Sequence, residues 1–205
     1  MEKSDDPQVI SDLKQKKVSK KKVKKQEKKN KNTWIYAIFG ITFVLSIIFS
    51  VISNILVEKL NIFAAILVLV AIICIGIIFD MIGMSVASVA EAPFHAKASK
   101  KHKGAKEAVK LVKYSEKVSS VCNDVIGDVC GVVSGAVGAA VAINISSAFK
   151  MDSFIISLIV GAFVASFTVF GKAVGKSFAS KNAEDIIYKV GGIIHFVSPK
   201  DKKKA

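Results

Sequence analysis

From Thr33 through Val57 the chain has no charged side chain. A run of that length is a membrane-crossing helix, because about 20 apolar residues at 1.5 Å each span the hydrocarbon layer. Directly before it, residues 14–31 hold eleven lysines opposed only by Glu27. Apolar residues make up 52% of the 205, yet the formal net charge is +14, and all 30 basic residues are lysine. These two properties are compatible only when charge and hydrophobicity lie in different segments, as they do here. That pattern excludes an ordinary soluble domain, a disulfide-stapled scaffold and a wholly disordered chain.

Three more segments have spanning length. Ile62 to Ala90 is interrupted only by Asp80; Val118 to Ile145 is rich in Gly, Ala and Val and carries Asp124 and Asp128; Phe154 to Phe178 carries Lys172. The fold class expected is an all-α integral membrane protein. It has four transmembrane helices, amphipathic juxtamembrane helices and a disordered Lys-rich N-terminal tail. The domains read as a basic cytoplasmic tail (1–32), an additional first span (33–57), a membrane domain (62–195) and a basic C-terminal tail (198–205). Trp34 and Tyr36 suit the headgroup level at the start of the first span.

Lysine distribution gives the orientation. With the N-terminus inside, only Lys59 and Lys150 fall in outer loops and Lys172 in a span, leaving the other lysines on the cytoplasmic side. Both termini are therefore expected in the cytoplasm and the protein in the cell membrane. The first span is too long, and too far from the N-terminus, for a cleavable signal peptide. Cys74, Cys122 and Cys130 lie within spans without CxxC or His-partner spacing, and read as small buried residues.

The segments beside the spans point to the bilayer surface. Residues 14–31 self-repel and stay solvated. Next to a membrane such a run is attracted to anionic headgroups, by about 1 kcal/mol per basic residue. Nucleic acid is not expected, because no Arg offers the fork that reads guanine edges. In residues 97–117, Ala105, Ala108, Val109, Leu111 and Val112 share one helical face, with Lys103, Lys106, Lys110 and Lys113 around it. That predicts an interfacial helix over about 103–115. A second is predicted over 183–197, striped by Ile186, Ile187, Val190, Ile193 and Ile194. Gly191 and Gly192 are expected to weaken or break it. Gly127, Gly131, Gly135 and Ala139, spaced by four, let two helix backbones approach. Packing within one subunit and a homodimer seam both remain open readings of that row.

Three stretches resemble the membrane domain of the CNNM/CorC family of magnesium and cobalt transport proteins. The first is Phe79 to Lys113, running from a small-residue helix end into a basic helix with Ala105-Lys106 and Ala108-Val109-Lys110-Leu111. The second is Glu116-Lys117 followed by Ile126-Gly127-Asp128, similar to an acidic-basic pair and a Gly-Asn-Asn-like element. The third, Phe170-Gly171-Lys172-Ala173-Val174-Gly175-Lys176-Ser177 with Ala179 and Lys181-Asn182, is similar to the family's Gly-Glu-x-x-Pro-Lys motif and the turn after it. The likeness covers roughly residues 62–195. It implies three core helices with a juxtamembrane belt, usual dimerisation, and magnesium as the transported ion, with no resident cofactor. The family's nucleotide-sensing CBS pair lies outside the stretches matched.

The resemblance also locates substitutions. Lys172 stands where the family motif has its acid, Gly175 where it has Pro, Asp80 and Ile82 where polar residues are common, and Asp128 where Asn follows Gly. Gly127, Gly171 and Lys176 are retained. Charges inside a bilayer normally pair or line a functional path. The expectation is that the Lys172 ammonium takes the place of the divalent ion, neutralised by Asp80 and Asp128, with Asp124 somewhat shallower. If any side chains bind metal they are Asp80 and Asp128. A structural ion pair is the other reading. His95, His102 and His195 are expected solvated, without paired carboxylates. With no nucleophile, base and orienter set, an enzyme is not expected. Two functions are open to such a chain: a divalent-cation transporter-like protein with a substituted site, or a non-transporting module that binds a partner subunit or anionic lipid.

Overall fold

The computed structural model describes residues 33–53, 55 and 61–197. Both Lys-rich tails, and the end of the first span at Val57, lie outside them. Every regular element among the described residues is helical. Helix α1 runs Thr33–Ser53. After it come α2 (Ile62–Ser88), α3 (Ala92–Ser99), α4 (Ala105–Lys113), α5 (Ser115–Ser120), a π-helical segment (Val121–Gly127), α6 (Asp128–Phe149), α7 (Ser153–Lys181) and α8 (Ala183–Val197). Among the described residues, four helices are long and apolar enough to cross a membrane: Thr33–Ser53, Ile62–Ser88, Ser115–Phe149 and Ser153–Lys181. The third is longer than the sequence suggested, because α5 and the π segment continue straight into α6.

The chain divides into a unit ending at Ile41 and a second from Thr42. In the first, residues 33–41 are helical, with Ile35, Tyr36 and Phe39 exposed. The second unit contains a core of α2, α6 and α7. Ala65, Leu69 and Ile73 from α2 meet Val129, Val133, Val137 and Val141 from α6 and Val164 from α7. The α6 valines recur every four residues, so they form one ridge. The outward faces remain apolar: Phe63, Leu67, Phe154, Phe163 and Phe170 are all more than 60% exposed. Such a surface suits hydrocarbon rather than water. In lipid, helix association rests on close packing, since the tails are as apolar as leucine. Small residues permit that packing. A methyl placed on Gly76 would lie 2.9 Å from Cys130 Cβ, and one on Gly138 would lie 3.2 Å from Val164 Cγ2.

The row of small residues in span three divides: Gly127 is packed within the chain, while the rest of the row is open. Methyls placed on Gly131 or Gly135 would meet nothing within 4 Å, and Ala139 is exposed. Gly138, outside that row, is the close-approach residue on this helix.

A second cluster joins Val86, Phe94, Ala108, Val112 and Ile187, tying α3, α4 and α8 to the end of α2. The apolar face of α4 is thus buried against protein. Helix α8 runs unbroken through Gly191 and Gly192, contrary to the expected break. The reason is steric. A Cβ on Gly191 would sit 2.5 Å from the Gly104 carbonyl oxygen and 3.0 Å from the Ala108 nitrogen. Gly191 lets α8 lie directly on the start of α4, and this packing outweighs the propensity cost of about 1 kcal/mol per glycine. Gly104 itself has φ 81°, a backbone conformation that a side chain would strain.

Candidate functional site

Helix α2 brings Asp80 to the centre of the second unit, about 12 Å of helix axis before its end at Ser88. Its residue exposure is 3%. Helix α7 presents Lys172 and Lys176 one turn apart, hence on one face. Gly171 and Gly175 on the same helix lie against Ile77 and Met81 of α2, where a Cβ at either position would collide with those side chains. These glycines hold α7 close enough to α2 for its lysines to reach the acids.

Span three supplies the other acid through an irregularity. The π turn Val121–Gly127 ends immediately before Asp128, and the wider turn puts backbone carbonyls out of the α-helical register. The carbonyl oxygen of Gly127 accepts a hydrogen bond from Lys172 Nζ at 3.3 Å. The same ammonium lies 3.4 Å from Asp128 Oδ1. A Cβ on Gly127 would lie 3.4 Å from Asp80 Oδ1 and 3.8 Å from Lys172 Nζ. Gly127 is therefore the point on which α2, span three and α7 converge.

The expected trio comes together, with one redistribution. Lys172 pairs with Asp128 and the Gly127 carbonyl, whereas the lysine nearest Asp80 is Lys176, its Nζ 3.3 Å from Oδ2. The approach lacks hydrogen-bond alignment, so that buried oxygen is held by charge alone. The second lysine is a product of helix geometry, because a residue four positions on repeats the face of the first. The Asp80 side chain is 4% exposed and its partner Lys176 48%, whereas Asp128 is 69% exposed and its partner Lys172 21%, so each pair joins a more buried group to a more exposed one. Gly171 contributes spacing rather than a ligand. Asp124 stays outside this cluster: exposed, it accepts a hydrogen bond from Ser120 Oγ at 2.8 Å, one turn back on its own helix.

The cluster matches two carboxyl groups with two lysine amines, so its formal charges balance. Among the described residues, no group of three or more His, Cys, Asp or Glu side chains is arranged to hold a metal ion. An apolar cleft of about 420 Å³, lined by residues such as Leu69, Ile73, Val141 and Phe163, lies elsewhere between α2, α6 and α7 and offers no ion ligand.

Three contacts escaped the sequence reading. Asn123, in the π segment, packs directly on Gly83 and donates to Ser119 Oγ at 3.3 Å. Glu107 is buried in α4 and lies 3.0 Å from His195 Nδ1 in α8, and His95 lies 3.5 Å from Glu91. Two of the three histidines thus have carboxylate partners, contrary to expectation. For His95 the i,i+4 spacing was a usable signal. For His195 the partner lies 88 positions away, where local pattern says nothing.

The family model for the cyclin M (CNNM) transmembrane N-terminal domain matches residues 66–198. No curated protein and no solved structure matches the chain.

Proposed function

The chain belongs to the CNNM family, and on that premise we propose that it is a divalent-cation transport-type membrane domain in which Lys172 takes the place of the transported ion. The observation that carries this is the position of its ammonium, 3.3 Å from the Gly127 carbonyl and 3.4 Å from Asp128 Oδ1, beside a buried Asp80. Carbonyl and carboxylate oxygens converging on one point are the donor set a hard cation takes; here a tethered cation meets them. Magnesium or cobalt is the cargo of this family scaffold. In this chain the site is already neutralised, and a fixed ammonium repels a divalent ion at contact distance by several kcal/mol, even at an effective dielectric of about 20. The wild-type protein is therefore a membrane module with little constitutive magnesium flux. Changing residue 172 to an acid opens the pathway.

Topology is set by lysine asymmetry, with both termini in the cytoplasm of a multi-pass protein of the cell membrane. The open face of Gly131, Gly135 and Ala139 favours the homodimer reading of that row, since nothing within 4 Å would meet a methyl on either glycine. The Lys-rich tails associate with anionic headgroups.

The test is magnesium flux into liposomes carrying the purified chain. Wild type is expected near the protein-free leak, with Lys172→Glu several-fold above it and Asp80→Asn reversing that gain. Wild-type flux abolished by Asp80→Asn or Asp128→Asn would overturn the reading.

A further inference from the structure

We propose that the apolar cleft between α2, α6 and α7 is a binding site for one acyl chain of a bilayer phospholipid. The cleft measures about 420 Å³, and every described side chain lining it is apolar. Its floor is Leu69 and Ile73 of α2, Val141 of α6 and Val164 of α7, all buried. Its mouth is Ile66 and Val70 of α2 with Phe163 and Phe167 of α7, all exposed.

The opening follows from the residues that separate α2 from α7. In the later turns of both helices, Gly171 and Gly175 bring α7 against Ile77 and Met81. In the earlier turns the cleft positions carry Ile66, Val70, Phe163 and Phe167 instead, so bulk replaces glycine and the helices stand apart. The rings of Phe163 and Phe167 lie within 7° of parallel, their centroids 6.4 Å apart, and make a flat apolar wall. Helices in lipid hold together by close packing, and a void leaves its lining without contacts on one side. Hydrocarbon in the cleft restores those contacts.

Depth and volume identify the occupant. From the start of α2 at Ile62, the stretch Ile66 to Ile73 lies about 6 to 17 Å along the helix axis. One leaflet contributes about 15 Å of the hydrocarbon layer, so the cleft spans the depth of one leaflet's chains. A dry cavity of about 150 Å³ lined by Leu, Ile and Phe binds benzene, and on that scale this cleft holds about sixteen carbons. That is the hydrocarbon of a single acyl chain. Neither a second copy nor the first span fills the same place. Helix α6 gives the cleft Val141 from the ridge that faces the core, whereas Gly131 and Gly135 open on another side of that helix. Phe49 of α1 packs on the core cluster and does not line the cleft.

The test uses the full chain in detergent micelles, titrated with a phosphatidylcholine that carries a photoactivatable diazirine in one acyl chain, with the labelled residues mapped by mass spectrometry. This lipid has no net charge, so the lysine tails do not draw it. Leu67 and Leu158 are exposed on the same helices outside the cleft and report ordinary boundary lipid. Labelling of Val70 and Phe163 is expected to saturate, and at low lipid concentration to exceed that of Leu67 and Leu158 at least fivefold. Val70→Trp, which narrows the mouth, should cut labelling of Phe163 at least fivefold, and Leu67→Trp should leave it unchanged. If Val70→Trp fails to fold, excess unlabelled phosphatidylcholine reads the same site, displacing label from Phe163 and not from Leu158. Equal, unsaturated labelling of the four residues would overturn the proposal, as would Phe163 labelling untouched by Val70→Trp or by the competitor. Labelling of Phe163 confined to monomeric protein would place a second copy in the cleft and overturn it too.

Discussion

The Lys176 ammonium lies 3.3 Å from Oδ2 of Asp80, a carboxylate whose side chain is only 4% exposed, whereas Lys172 meets Asp128, whose side chain is 69% exposed. The two pairs differ in what remains when one partner is removed. Removing Lys176 leaves the buried Asp80 carboxylate without its nearest cation, whereas removing Lys172 leaves Asp128, which is open at the surface of the chain. Lys176→Met is therefore expected to destabilise the protein by about 1 kcal/mol or more beyond Lys172→Met, as read by thermal unfolding in detergent. Equal losses would mean that Lys176 does not serve as the Asp80 counter-ion.

Gly191 is the contact on which α8 lies against α4. A Cβ there meets backbone atoms, the Gly104 oxygen at 2.5 Å and the Ala108 nitrogen at 3.0 Å, which a rotamer change cannot relieve. Gly191→Ala is expected to cost about 2–3 kcal/mol. Gly192→Ala, with nothing within 4 Å, should be near neutral. Thermal unfolding of the two variants side by side checks the difference, and equal effects would contradict the close approach.

Glu107 and His195 join α4 to α8 across 3.0 Å, with the Glu107 side chain 8% exposed. Glu107→Ala leaves His195 without that acceptor, and His195→Ala leaves a buried carboxylate without its partner. A double-mutant cycle should return a coupling of about 1–3 kcal/mol. A coupling near zero would show that the two side chains act independently.

The positions of the helices could be read from the sequence because hydrocarbon demands long apolar runs, and α2 and α7 track those runs closely. The meeting of Lys172 with Asp128 was legible for a related reason: intramembrane charges are few and need partners. What could not be read was register. The π turn before Asp128 leaves no composition signal, yet it aims the Gly127 carbonyl at Lys172. The choice between Lys172 and Lys176 as partner of Asp80 depends on one helical turn, finer than any span boundary. At Gly191 propensity argued for a break, and tertiary packing against Gly104 overrode it.

Gly135 lies on the open face of α6, where an added Cβ meets nothing. Gly135→Leu should change the stability of the single chain by no more than about 0.5 kcal/mol. If this face is the homodimer seam, the same substitution abolishes self-association in detergent. Analytical ultracentrifugation of wild type and variant decides it, and an unchanged oligomer would place the seam elsewhere.

The central claim is that the Lys172 ammonium sits where the family scaffold would carry a divalent ion. The most direct measurement is the shift of unfolding temperature with magnesium concentration, because a ligand that binds the folded state stabilises it in proportion to RT ln(1 + [L]/Kd). Wild type is expected to show no saturable shift. Lys172→Glu should acquire one that Asp80→Asn or Asp128→Asn removes. A saturable shift in wild type that Asp80→Asn abolishes, with none gained by Lys172→Glu, would contradict the account.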